Sequence, residues 1–304
     1  MPQLREAALM TLGMVVVHAR NLRLLDDFGL RSAEFGLIER ESRAELEQFI
    51  AEREMRFGVH CPLFKPHDHP ENNALLASIA DADEDRRAAS LDLMELSICD
   101  AAQIGGEYVV VHIQRPENFG GDNPDGFSER HALDSARRSC ERLLNIAIDK
   151  NVSLLIENLF RNRAFYAPAT YRALLDSFPE LGFCLDVGHL DVDSREFGFP
   201  LDEFIDAVAP YLRDVHLQNS NSSQAAYGPR PWKYPVHPSQ TEADGWRDIP
   251  AILRKILVFN TECHINFESR INLPEEETVI REGIEWIKTL LPEILSEYNK
   301  NDAL

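Results

Sequence analysis

The chain has 304 residues, 44% of them hydrophobic, and 31 Lys and Arg stand against 51 Asp and Glu for a formal charge of −20. This length suits one large α/β domain over 1–304, and the apolar share supplies a full core rather than a disordered chain. So negative a field repels phosphate backbones, which disfavours sequence-independent nucleic-acid binding without a local basic patch, and it says nothing about fold.

The apolar run Ala7–Val17 follows Arg5, but Glu6 spoils a basic leader and no small-residue cleavage site follows. It therefore reads as a buried strand, in which the less clear run Met14–Val17 supplies the first strand, and it is too short to span a bilayer. Ser32–Leu37 supplies the second strand, and clearer runs follow at Arg56–Val59, Tyr108–Val111, Val152–Ile156, Leu181–Leu185, Leu212–Val215 and Cys263–Phe267. These runs are continuous rather than alternating, the pattern of strands buried on both faces.

Between them lie amphipathic helical stretches: Arg43–Arg53, Glu84–Gln103, Glu129–Lys150, Pro168–Ser177, Leu201–Tyr211, Ile249–Leu257 and Glu275–Leu291. Pro168 and Pro250 sit near helix starts, where a missing N–H costs little. Alternating strands and helices predict a parallel β/α architecture, and eight units in roughly 250–300 residues predict a (β/α)8 TIM barrel. A doubly wound sheet competes, but no Gly-rich phosphate fingerprint follows an early strand. Cys61, Cys99, Cys140, Cys184 and Cys263 lack CxxC spacing, so neither a zinc knuckle nor a disulfide framework is indicated. Reduced thiols point to the cytoplasm, and nothing else in the chain looks transmembrane.

Nearly every strand ends in a metal-capable side chain: His60, His112, Glu157, Asp186 with His189, His216 and Glu268. A parallel barrel aims all strand ends at one mouth, so these residues converge. Each alone has an ordinary structural explanation, but packing does not require such groups at successive strand ends. Gathered carboxylates need compensation, and a divalent cation with mixed carboxylate and imidazole ligands supplies it. His67 and His69 read as loop residues, His131 as helical and His264 as facing the helices, while His18 is ambiguous.

Two long loops follow strands on the same side, Gln114–Ser128 and Asn219–Gly245. The second carries Tyr227, Arg230, Trp232, Lys233 and Tyr234, which fit either a lid that stacks on a ligand or a subunit contact. Arg115, Arg161, Arg163 and Arg270 also follow strand ends, as solvated surface or as a subsite for an anionic substituent.

The segments Ile156-Glu157-Asn158, Leu185-Asp186-Val187-Gly188-His189 and Asp214-Val215-His216-Leu217 resemble the xylose isomerase-like, or AP endonuclease family 2, superfamily of barrels. The resemblance covers nearly the whole chain, most specifically from His60 to Glu268. It implies a sugar isomerase or epimerase, acting on a small carbohydrate, its phosphate or its acid through an enediolate. It also implies one divalent ion (Mn, Mg, Co or Zn) on Glu157, Asp186, His216 and Glu268. Glu157 and Glu268 would be the acid/base pair, or ligands only, and His189 would contact substrate. The DNA-repair branch resembles endonuclease IV and implies further metal ligands at His60, His112, His189 and His237. Here Pro235-Val236-His237 lacks the aspartate of its Asp-x-His pair, and Gln218-Asn219 stands where Asn-Asp is usual. Those departures favour the isomerase over a zinc-dependent phosphoesterase, and nucleic acid is not expected as a partner. A homo-oligomer is compatible with everything above.

Overall fold

A computed structural model describes residues 11–66, 78–116, 124, 126–221, 233–269 and 274–301. Eight parallel strands close into a barrel in sequence order. They are β1 (Thr11–Val17), β2 (Ser32–Gly36), β3 (Arg56–His60), β4 (Tyr108–His112), β5 (Ser153–Glu157), β6 (Gly182–Asp186), β7 (Leu212–Leu217) and β8 (His264–Phe267). The closing pair sets Thr11 beside His264 and Met14 beside Phe267. Around them run α1 (Arg23–Asp27), α2 (Arg43–Arg53), α3 (Glu84–Ile104), α4 (Glu129–Lys150), α5 (Pro168–Leu175), α6 (Val187–Phe197), α7 (Leu201–Val208), α8 (Ile249–Phe259) and α9 (Pro274–Asn301). Among the described residues, no helix is long and apolar enough to cross a membrane.

The sequence expectations for α2 and α4 match the observed bounds; β1 begins three residues before the expected Met14, and the other strands shift by one or two residues at their ends. Two helices were not anticipated. One is the short α1; the other is α6, which follows β6 with no loop, its Gly188 and charged residues having hidden the helical pattern. Asp186 caps α6 by accepting from the backbone N–H of His189 at 2.7 Å. The Asp-x-x-His spacing is thus the spacing of a helix N-cap and its third residue.

Most of the core lies between strands and helices, in one large cluster that includes Phe35, Phe57, Val109, Ile156 and Phe183. Inside the barrel a separate small plug consists of Tyr108, Val110, Leu155 and Cys184. Gly58 makes room for it, because a β-carbon there would run into the Tyr108 ring. With so few apolar side chains inside, the upper layer of the barrel is free to be polar. Strand alternation places Glu34, His60, His112, Glu157, Asp186, His216 and Glu268 on the inward parity.

The same parity corrects one expectation. His264 lies in phase with Asn266 and Glu268, and its ring sits 5.0 Å from that of Tyr108. It therefore faces the barrel interior and not the helices.

Candidate metal centre at the barrel mouth

Register builds the site. His112 pairs with Glu157 across β4 and β5, and Asp186 pairs with His216 across β6 and β7. Asn158 locks the two halves together: it accepts from the Asp186 N–H at 2.9 Å and donates to the Asp186 carbonyl at 3.0 Å. Glu157, Asp186 and His216 are at most 1% exposed, and each offers a ligand atom within 4.8 Å of the other two. Glu157 Oε1 lies 3.2 Å from His189 Nδ1 and 3.6 Å from His216 Nδ1. Its Oε2 lies 3.2 Å from His112 Nε2 and 3.9 Å from His60 Nε2.

Glu268 stands one side chain away from this trio. Gln218 donates to Asp186 Oδ2 at 2.5 Å and to Glu268 Oε2 at 3.1 Å, so its amide bridges the two carboxylates. Lys233 donates its backbone N–H to Gln218 Oε1 and pairs its ammonium with Glu268. Gly188 makes space for this bridge, since a β-carbon there would come within 2.8 Å of the Gln218 side chain.

The remaining expected residues divide. His60, His112 and His189 belong to the cluster. His237 bonds to Ser239 Oγ at 2.7 Å and to Glu282 Oε2 at 2.9 Å, and it joins none of the metal-competent groups found among the described residues. Arg115 and Arg161 come within 3.9 Å of Asp81 and 3.6 Å of Glu196. Tyr234 pairs with Asn219 and packs edge-on against Trp246 at 5.2 Å. Tyr227, Arg230, Trp232, Arg270, His67 and His69 lie outside the described residues.

The sequence motifs include Asn158, Asp214 and Gln218 without giving them a role, and they leave out Glu34 altogether. Glu34 is the most consequential. It is fully buried on β2 and binds His60 Nδ1 at 2.7 Å and His216 Nε2 at 3.0 Å. Its signal is an acid inside the apolar run Ala33-Glu34-Phe35, within the strand and not at its end.

The donor set fits a divalent ion. Among the described residues, His216 Nδ1 is buried without a hydrogen-bond partner, while Nε2 is held from behind, the usual arrangement of a ligating histidine. Electrostatics agree. Burial pushes the Asp186 carboxyl up to about 7, with Glu268 and Glu157 adding to the shift against His189. Burial also disfavours charge on Glu157, yet His216 and His112 hold its carboxyl well below the usual range. His216 is raised well above an ordinary imidazole, because Cys184, Glu34 and Glu157 outweigh burial. Lys233 and the imidazoles compensate Glu268 and Glu157, but Asp186 is left short of positive charge, and a dication would relieve that deficit.

A parallel eight-stranded barrel with acids and histidines converging at the carboxyl ends of its strands belongs to a recognisable class. A family model for xylose isomerase-like TIM barrels matches residues 22–290, and the chain belongs to that family. A search of curated proteins found no match.

Solved structures resemble it at low identity. The 3-keto-D-glucoside 4-epimerase YcjR from E. coli is 17% identical, with 92% of this chain and 99% of that chain covered at a TM-score of 0.67. An L-ribulose 3-epimerase is 14% identical over 96% and 97%, with a TM-score of 0.70. A xylose isomerase domain protein from Planctomyces limnophilus is 14% identical over 96% and 100%, with a TM-score of 0.68. At these identities the likeness establishes the shared fold.

Proposed function

We propose that the protein is a divalent-metal-dependent isomerase or epimerase of a small carbohydrate, or of its phosphate or acid. The observation that carries this reading is the convergence of Glu157, Asp186 and His216, with Glu268 held beside them through Gln218. Bound there, a divalent ion would polarise substrate oxygens and acidify the neighbouring C–H. The protein's part is proton movement and positioning. Glu157 and Glu268 sit on different strands, β5 and the end of β8. We assign them the removal of a carbon-bound proton and its return, through an enediolate. His189, fixed by its Nδ1 contact to the Asn158 carbonyl at 3.1 Å, is assigned to a substrate hydroxyl. Lys233 is assigned to a developing oxyanion, with Glu268 keeping it in place. The five cysteines are free thiols, in keeping with the reducing cytoplasm where we place the protein.

The reading is tested by incubating the protein with a panel of ketoses and aldoses, with Mn(II) or with chelator. Formation of an epimer or isomer only with metal supports it; no conversion of any sugar removes it. The second reading is a hydrolase with a further metal on His60, His112 and Glu157. It is favoured by the 3.1 Å approach of the two imidazole Nε2 atoms beside Glu157. Two metals per chain together with phosphodiester hydrolysis would support it instead.

A further inference from the structure

We propose that Glu34 is a positioning residue that fixes the orientation of two imidazoles, His60 and His216, through one carboxylate oxygen. The inference rests on the metal-centre reading above and extends it to a residue on the opposite side of the barrel. Glu34 lies on β2, in register with Gly58 of β3, and β7 carries His216. Strand alternation turns the Glu34 carboxylate inward. Its Oε1 takes both contacts, to His60 Nδ1 at 2.7 Å and His216 Nε2 at 3.0 Å. Its Oε2 is buried and has no partner among the described residues.

A buried carboxylate paired only with imidazoles is a poor stabiliser. Apolar residues of similar size often do as well or better at such positions, so stability alone does not account for it. Its effect is directional. Each ring donates its N–H to Glu34, which turns the other nitrogen toward Glu157. For His216 that atom is Nδ1, 3.6 Å from Glu157 Oε1. For His60 it is Nε2, 3.1 Å from His112 Nε2 and 3.9 Å from Glu157 Oε2. Asp214 Oδ2 also lies 3.4 Å from His216 Nε2. Asp214 is already engaged through Oδ1 with Val215 N and Asn266 Nδ2, so it backs up one ring and not both.

The test uses the full chain and two variants, Glu34→Gln and Glu34→Leu. Mn(II) and Zn(II) affinities are measured by competition with a chelating dye, and the zinc-loaded proteins are examined by long-range 1H–15N spectra of the histidine rings. Outer partners of metal ligands typically contribute 10- to 100-fold in affinity. Glu34→Gln keeps the shape and should weaken binding about 10-fold, and Glu34→Leu should approach 100-fold. The wild type should show His216 protonated at Nε2 and ligating through Nδ1, and His60 protonated at Nδ1; in Glu34→Leu the His60 preference should be lost, while Asp214 still backs His216. If Glu34→Leu fails to fold, Glu34→Gln carries both readouts. Wild-type affinity and unchanged ring spectra in the variants would make Glu34 purely structural. A wild-type protein that binds neither ion would instead remove the metal-centre reading, and the inference with it.

Discussion

The Lys233 ammonium pairs with Glu268, and the Lys233 backbone N–H holds the glutamine that links Glu268 to Asp186. A cationic side chain thus sits among the acids proposed to hold a cation. Burial alone would raise the Glu268 carboxyl, but Lys233, followed by His216, outweighs it and sets it at about 2.

Replacing Lys233 with Met removes that competitor. The Glu268 pKa should rise toward the ordinary range, and divalent-ion affinity should increase about tenfold, a change of about 1.4 kcal/mol. Turnover should fall tenfold or more, since Glu268 loses its anchor. Calorimetric titration and steady-state kinetics check both. An affinity that drops would make Lys233 a support of the centre and not a competitor.

Asp186 gives a pH signature. Its carboxyl is held at about 7 against an ordinary 3.8, so between those values the folded state keeps a proton that the unfolded chain has released. That contribution to stability is fully present below about pH 4 and is lost as pH rises through about 7. In chelator, Asp186→Asn should therefore gain in melting temperature relative to wild type as pH goes from 5 to 8. Parallel melting curves across that range would show that Asp186 ionises normally.

Glu157 touches His112, His189 and His216 at once. Glu157→Gln should keep the barrel, because the amide is isosteric and its strand is fully paired, while kcat/KM drops at least about 100-fold, the scale of a lost general acid or base. Circular dichroism and kinetics on the same preparation separate these effects. Full activity in this variant would confine Glu157 to structure.

The charge of −20 bears on nucleic acid. Incision of abasic duplex DNA should be undetectable at physiological salt, because such binding draws on cationic contacts to phosphate. Metal-dependent incision that disappears in Glu157→Ala would favour the hydrolase reading.

The barrel was legible because doubly buried strands leave continuous apolar runs, and strand-end acids and histidines stand out against them. That pattern is what predicts the convergence of Glu157, Asp186 and His216, whose ligand atoms lie within 4.8 Å of one another. What stayed hidden was whatever a periodic pattern conceals. Glu34 is a charge within a strand rather than at its end. Asn158 and Gln218 are neutral amides whose value lies in bridging residues 28 and 50 positions away. His264 was misplaced because it was judged alone; its alternation with Asn266 and Glu268 gives its true face.

The central claim is proton transfer beside a sugar carbonyl, and solvent exchange reads it directly. The metal-loaded protein is incubated in D2O with each sugar of the panel, and deuterium at the carbon next to the carbonyl is followed by NMR. The account predicts deuterium in recovered substrate or product, abolished by chelator and by Glu268→Gln. Turnover of a sugar without any deuterium at that carbon, or exchange indifferent to metal and to Glu268, would contradict it.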